Sequence, residues 1–376
     1  MTPFFVAIFL LGLSSLATAA NFNKVFEWNE LDFEWPSEAK RTQALRDGTY
    51  KPENFDPLHM AVYGSRIFFT ISERDGISVT LVSVPKSSAS SAPPKLTPFP
   101  SWDMHAKEDC NKIENARTLD VDSVGRLWVL DQSSRECKPK LWTIDLINND
   151  QIKLTHQFSS RSIMHDLVLD ETPDGTFAYI SRGGIFGEQY IVVFSLERNE
   201  SWIVDTPGID VYSIVLSPRK DQEQRQLYFG KSYSDELYSI SAAALRNGTG
   251  TSNPKPVGIW TKPSSYRMLM DNHGTLYAAF EGRYYISSWN TSQPFEEQRF
   301  HEVAELYTFW PFTFALDSSG TFWMTEFDKS APKTRFRLLK ATAPELYAAS
   351  ASGEAQNRKL INLSVFFAFL VTMAFS

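Results

Sequence analysis

The sequence predicts an all-β fold, a six-bladed β-propeller whose ring is closed by an N-terminal strand, and three observations carry that prediction. The first is a recurring hairpin pattern, clearest at residues 117–131 (RTLDVDSVGRLWVLD). It returns as HDLVLDETPDGTFAYIS at 165–181, YRMLMDNHGTLYAAF at 266–280 and FTFALDSSGTFWMTE at 312–326. Looser copies are LHMAVYGSRIFFTIS at 58–72 and YSIVLSPRKDQEQRQLYFG at 212–230. Alternation of apolar and polar residues marks each strand, and the Asp-x-x-Gly step supplies turn chemistry. The second observation is spacing. The residues that open the six turns (Tyr63, Asp122, Asp170, Ser217, Asp271 and Asp317) lie 46 to 59 residues apart. Each interval has room for about four strands, the spacing of blades that cannot bury their faces alone. The third is that no amphipathic helix of the length a parallel α/β sheet needs alternates with these strands.

In chain order, residues 1–20 carry an apolar run at 3–13 and end in Ala17-Thr18-Ala19, the pattern of a cleaved secretory signal, although no Lys or Arg stands near Met1. Residues 21–345 form the propeller. Residues 21–35 are aromatic and read as one or two strands, and 38–50 as a short helix or an extended arm. An outer strand is expected at 77–84, then a Ser/Pro-rich surface loop at 86–100. Further strands are expected at 140–145, 189–196, 236–240 and 284–289, and 201–204 is expected to begin the strand that follows 189–196. The sixth unit has too few strands after 336–341 to complete a sheet, so a strand near 25–31 is expected to supply the missing one. A polar linker rich in small residues follows at 346–359, then an apolar tail at 360–376. Small site, polar spacer and terminal apolar run match a glycolipid (GPI) anchor signal better than a spanning helix, which needs about 20 residues. Membrane attachment through this tail is the expectation.

Hydrophobic residues make up 43% of the 376 and aromatic residues 14%, a globular composition. The net charge of −7 comes without clustered Lys or Arg, which excludes an electrostatic footprint for nucleic acid. Two cysteines, Cys110 and Cys137, in an exported chain point to one disulfide, with two free thiols as the alternative. Asn199, Asn247 and Asn290 each open an Asn-x-Ser/Thr triplet in polar surroundings and are the expected glycosylation acceptors. No HExxH, CxxC, Walker loop or Gly-x-Ser-x-Gly occurs, so neither metal nor cofactor is predicted. The Gly-rich run at 182–187 follows a strand without opening a helix and reads as a loop.

Aligning the repeats brings out a candidate site. Three residues before each turn anchor the residue is apolar; four before it stand His59, Thr118, Asp166, Ser213, Arg267 and Thr313, all polar. In a propeller the first strand of each blade lines the channel, so these six are expected to ring its mouth, unless they are polar merely because strand starts are solvated. Tyr212, Tyr266 and Phe312, one position earlier, supply aromatic walls, and His165 stands beside Asp166. Such a pocket suits a small ligand. Asp166 can hold an ammonium flanked by aromatic faces, and His165 or His59 can move a proton.

The segments NARTLDVDSVGRLWVLDQ (115–132), MHDLVLD (164–170) and FWPFTFALDSSGTFWMTE (309–326), with an early FEW…DFEW stretch, resemble the yellow / major royal jelly protein family. The likeness runs over roughly residues 26–340. It implies an extracellular six-bladed propeller whose relatives are associated with cuticle pigmentation, dopachrome conversion or amine binding in the channel. A single cysteine pair and the apolar tail depart from the family pattern. The expected function is binding of a biogenic amine or a catechol-type melanin-pathway compound. The alternatives are a dopachrome-converting enzyme, a metal-dependent lactonase, and an interaction protein with an inert channel.

Overall fold

The computed structural model describes residues 22–342 apart from 89–91, 133–135, 160–162, 183–188, 221–222, 249–252, 264, 303–309 and 329–334. The segments expected to be a secretory signal and a linker, the apolar tail and the Gly-rich run at 183–187 therefore fall outside the described residues. Among the described residues, twenty-four strands form six four-stranded antiparallel sheets. The first strands of blades one to six are Pro57–Tyr63, Ala116–Val121, Met164–Thr172, Val211–Leu216, Ser265–Met270 and Trp310–Leu316. They touch one another in sequence, and the sixth touches the first, so the ring is closed.

Closure is made as the sequence predicts. Asn23–Trp28 pairs antiparallel with Arg335–Ala341 and becomes the outer strand of blade six. The chain then crosses to blade one, where Phe33 bridges Leu96 and the Trp28 indole donates to Pro94 O at 2.7 Å. Phe26, Trp28, Leu31, Phe33, Tyr50 and Phe55 pack there against strands of blades one and six. Residues 38–50 resolve into a helix, Glu38–Arg46, capped by the Ser37 side chain on Lys40 N–H. The other hydrophobic clusters likewise lie between adjacent blades.

The strand expected to begin at 201–204 is present: Glu200–Asp205 pairs with Tyr190–Ser195 as the outermost strand of blade three. One strand expectation is corrected. The outer strand expected at 77–84 covers only Leu81–Pro85. Ile77 and Val79 are buried in the closure cluster without being in a strand, so burial alone mimicked a strand pattern.

The turn anchors explain why the hairpin repeats so closely. The Asp122 carboxylate accepts Arg126 N–H at 2.8 Å and the Trp128 indole at 2.8 Å. Asp271 accepts Thr275 N–H and the Tyr277 hydroxyl, and Asp317 accepts Thr321 N–H and the Trp323 indole. One carboxylate thus closes the turn and pins an aromatic side chain of the second strand. Gly125, Gly274 and Gly320 take the positive φ these turns require. Cys110 and Cys137 form a disulfide, Cα to Cα 5.3 Å, that ties the approach to blade two to the connection between that blade's second and third strands.

Candidate functional site

Every first strand breaks register at the same level. The pairing slips between Pro57 and His59, Ala116 and Thr118, Met164 and Leu167, Val211 and Ile214, Ser265 and Arg267, and Pro311 and Thr313. A bulge sets extra residues of one strand against its partner and re-aims side chains. Here it places Arg117 with Thr118, His165 with Asp166, Tyr212 with Ser213 and Tyr266 with Arg267 at one level of the channel.

The six polar residues do not form an open mouth, and solvation does not explain their polarity. None is more than 8% exposed. The bulge draws them inward, and the partly exposed positions belong to Arg117, Tyr212 and Tyr266, one residue earlier. Four of the six meet. Arg267 Nη1 donates to Asp166 Oδ1 at 2.8 Å and lies 2.6 Å from His59 Nδ1, and Thr118 Oγ1 lies 2.7 Å from the same Nδ1. A guanidinium has no acceptor, so Nδ1 is the bare nitrogen of a neutral His59 ring. Burial and the Arg267 charge hold that imidazole well below its ordinary range. Asp166 also accepts Leu167 N–H at 3.0 Å and Ile214 N–H at 3.1 Å. Burial pushes its carboxyl upward, with Arg267 and the two amides opposing.

Ser213 and Thr313 stand apart from this cluster. Ser213 donates to Ser265 O at 2.6 Å. The buried Thr313 hydroxyl has no partner among the described residues. His165 is not a free base at the channel edge: it is buried and stacked on Tyr212, ring centroids 3.9 Å apart and planes 10° apart. Its Nδ1 lies 3.5 Å from Arg117 Nη2. Burial, then the Arg117 charge, take this imidazole down to about 3. Burial raises the Tyr212 and Tyr266 hydroxyls, so both remain neutral phenols. Phe312 belongs to a first strand, but its side chain falls outside the described residues.

Aligning first strands alone misses the second-strand hydroxyls that support the bulges. Thr70 accepts His59 N–H at 3.1 Å and donates to Arg117 O at 3.0 Å, while Ser181 accepts Asp166 N–H at 3.1 Å and donates to Tyr212 O. Each ties one blade's bulge to the next blade's main chain. Thr325 accepts Thr313 N–H at 3.3 Å, so aligning second strands would have exposed the set. The three Asn-x-Ser/Thr asparagines are exposed. Among the described residues no group of His, Cys, Asp and Glu converges as a metal site, and no helix is long and apolar enough to cross a membrane.

Comparison with known proteins places the chain. A family profile described as "Major royal jelly protein" matches residues 115–210 and 207–316, more than half of the chain. "Protein yellow" of Drosophila guanche is 26% identical over 324 residues, covering 74% of this chain and 56% of the relative. "Protein yellow" of Drosophila yakuba is 26% identical over 345 residues, covering 80% and 63%. The chain thus spans less than two thirds of the length of these relatives. Among solved structures, the calcium-binding protein regucalcin from Agrobacterium tumefaciens shares 14% identity, with a TM-score of 0.48 over 76% of this chain and 90% of that one. The segments that match the profile build blades two to five and the first strand of blade six, and this chain belongs to the yellow / major royal jelly protein family.

Proposed function

We propose that this chain is an extracellular, glycosylated propeller that binds a small aromatic ligand of the catechol or biogenic-amine class at the end of the channel where the first strands begin. The observation that carries the reading is the His165–Tyr212 stack beside Arg117. Flat ring faces next to a guanidinium offer a planar phenolic ligand both stacking and a hydrogen-bond donor. Charge favours the catechol side of that class. Of the two carboxylates whose charge reaches Arg117, Asp56 is paired with Arg74 and Asp166 Oδ1 is already taken by Arg267. An incoming ammonium would have to displace that guanidinium, whereas a neutral or carboxylate-bearing catechol compound would not.

Calorimetry with L-DOPA, dopamine, serotonin and octopamine tests the reading. L-DOPA, which carries a carboxylate, is expected to bind more tightly than the purely cationic dopamine, serotonin and octopamine, and Tyr212→Ala to weaken its binding at least about tenfold. No heat with any of the four, or an unchanged Tyr212→Ala, would overturn it.

Conversion of a dopachrome-like substrate is the second reading, supported by neutral imidazoles placed beside two arginines. An imidazole held at about 3 is a weak base at neutral pH, which ranks binding first. Loss of dopachrome absorbance catalysed by the wild type and abolished by His165→Ala would reverse that order.

A further inference from the structure

Between the Arg267 layer and the hairpin turns lies an open cavity of about 660 Å³. That volume lies within the range of small-ligand sites. Its wall includes the residues two before each turn anchor: Ala61, Asp120, Val168, Val215, Leu269 and Ala315. Five are aliphatic and the sixth is a carboxylate. The repeats thus place one anion in a ring that is otherwise apolar.

Asp120 is not committed as the other acids of this face are. Asp122, Asp271 and Asp317 each hold a turn and an aromatic side chain, and Glu171 accepts Ser123 N–H at 2.9 Å. Asp120 takes main-chain N–H groups, from Val121 at 2.8 Å and from Leu169, and has no ion pair among the described residues. Arg267, the cation above it, is spent on Asp166 and His59. A carboxylate beside apolar walls loses hydration that a bound cation can replace. A hard metal ion needs several converging oxygens, and the described residues offer no such group. An organic cation needs only the counter-charge and an apolar bed.

We propose that the hairpin end of the channel is a second binding site, for an organic ammonium on an apolar body, with Asp120 as the counter-ion. The site does not depend on the ligand proposed for the opposite end, because the layer of Arg267, His59, Asp166 and Thr118 separates the two sets of residues.

Calorimetry on the full chain with octylamine, octanol and octanoate as probes tests it. Octylamine binds best, octanol more weakly and octanoate not at all. Asp120→Asn weakens octylamine at least about tenfold and leaves octanol unchanged. Ala315→Leu, which fills the cavity without touching the charge, weakens both. Tyr212→Ala, at the other end, changes neither. No octylamine binding by the wild type, equal binding by Asp120→Asn, or a loss that follows Tyr212 rather than Asp120 would each overturn the assignment.

Discussion

Arg267 on blade five and Asp166 on blade three meet at 2.8 Å across the channel, with blade four between them in the ring. The same guanidinium nitrogen reaches His59 on blade one. One side chain thus joins three alternate blades, each a separate sheet, at a buried level.

Removing either partner strands a buried charge. Asp166→Ala and Arg267→Ala are each expected to cost about 3–5 kcal/mol. The double substitution should cost less than the sum. Urea denaturation of the four proteins checks this, and simple additivity would count against the pair acting as a unit.

Asp120 sets a pH dependence. Burial raises its folded-state value to about 6, with Asp166 adding and Arg267 opposing, against about 4 for an unfolded aspartate. The folded chain therefore binds the proton more tightly. The contribution of this group to stability is present below pH about 4 and is lost as pH rises through about 6, by at most about 1.4 kcal/mol per unit. Asp120→Asn should flatten that fall, read as denaturation midpoints between pH about 4 and 7. An identical slope in both proteins would show that the carboxyl titrates normally.

Ring closure rests on the N-terminal strand. Trp28 is buried at the junction of blades six and one and donates to Pro94 O. Trp28→Ala is expected to cost about 3–5 kcal/mol, and chemical denaturation should show the whole propeller destabilised in one transition.

Gly230 lies where a Cβ would collide with the Ser265 hydroxyl and press on that of Ser213 at 3.0 Å. Gly230→Ala is expected to lose about 1–3 kcal/mol. Ser265→Ala should restore much of it by removing the nearer oxygen, and a thermal-melt comparison of single and double variants decides the matter.

The Cys110–Cys137 bridge closes a loop with a sequence separation of 27. Cys110→Ala/Cys137→Ala is expected to lose about 3.5 kcal/mol in the chain-entropy description, measured by denaturation under non-reducing conditions.

Much of the fold was legible because its signals are local. The Asp-x-x-Gly turn at Asp122 and the alternation around it need only neighbours in sequence, and their recurrence fixes the number of blades. The missing strand of blade six was legible by subtraction, and Asn23–Trp28 fills it. The misread segment, 77–80, is a place where tertiary surroundings decide. Ile77 and Val79 are buried by packing in the closure cluster and not by strand pairing.

The site divides the same way. From sequence alone came the six polar positions and their common level, because side-chain period and repeat register are properties of the chain. The tertiary structure alone decided that a bulge turns those residues into a buried layer, and that Arg267 selects Asp166 and His59 from among them. It also decided that His165 lies flat on Tyr212 and that Asp120 is left facing a cavity. These are contacts between blades far apart in sequence. Which charge finds a partner, and which does not, is settled only when the ring closes and burial makes each unpaired group costly.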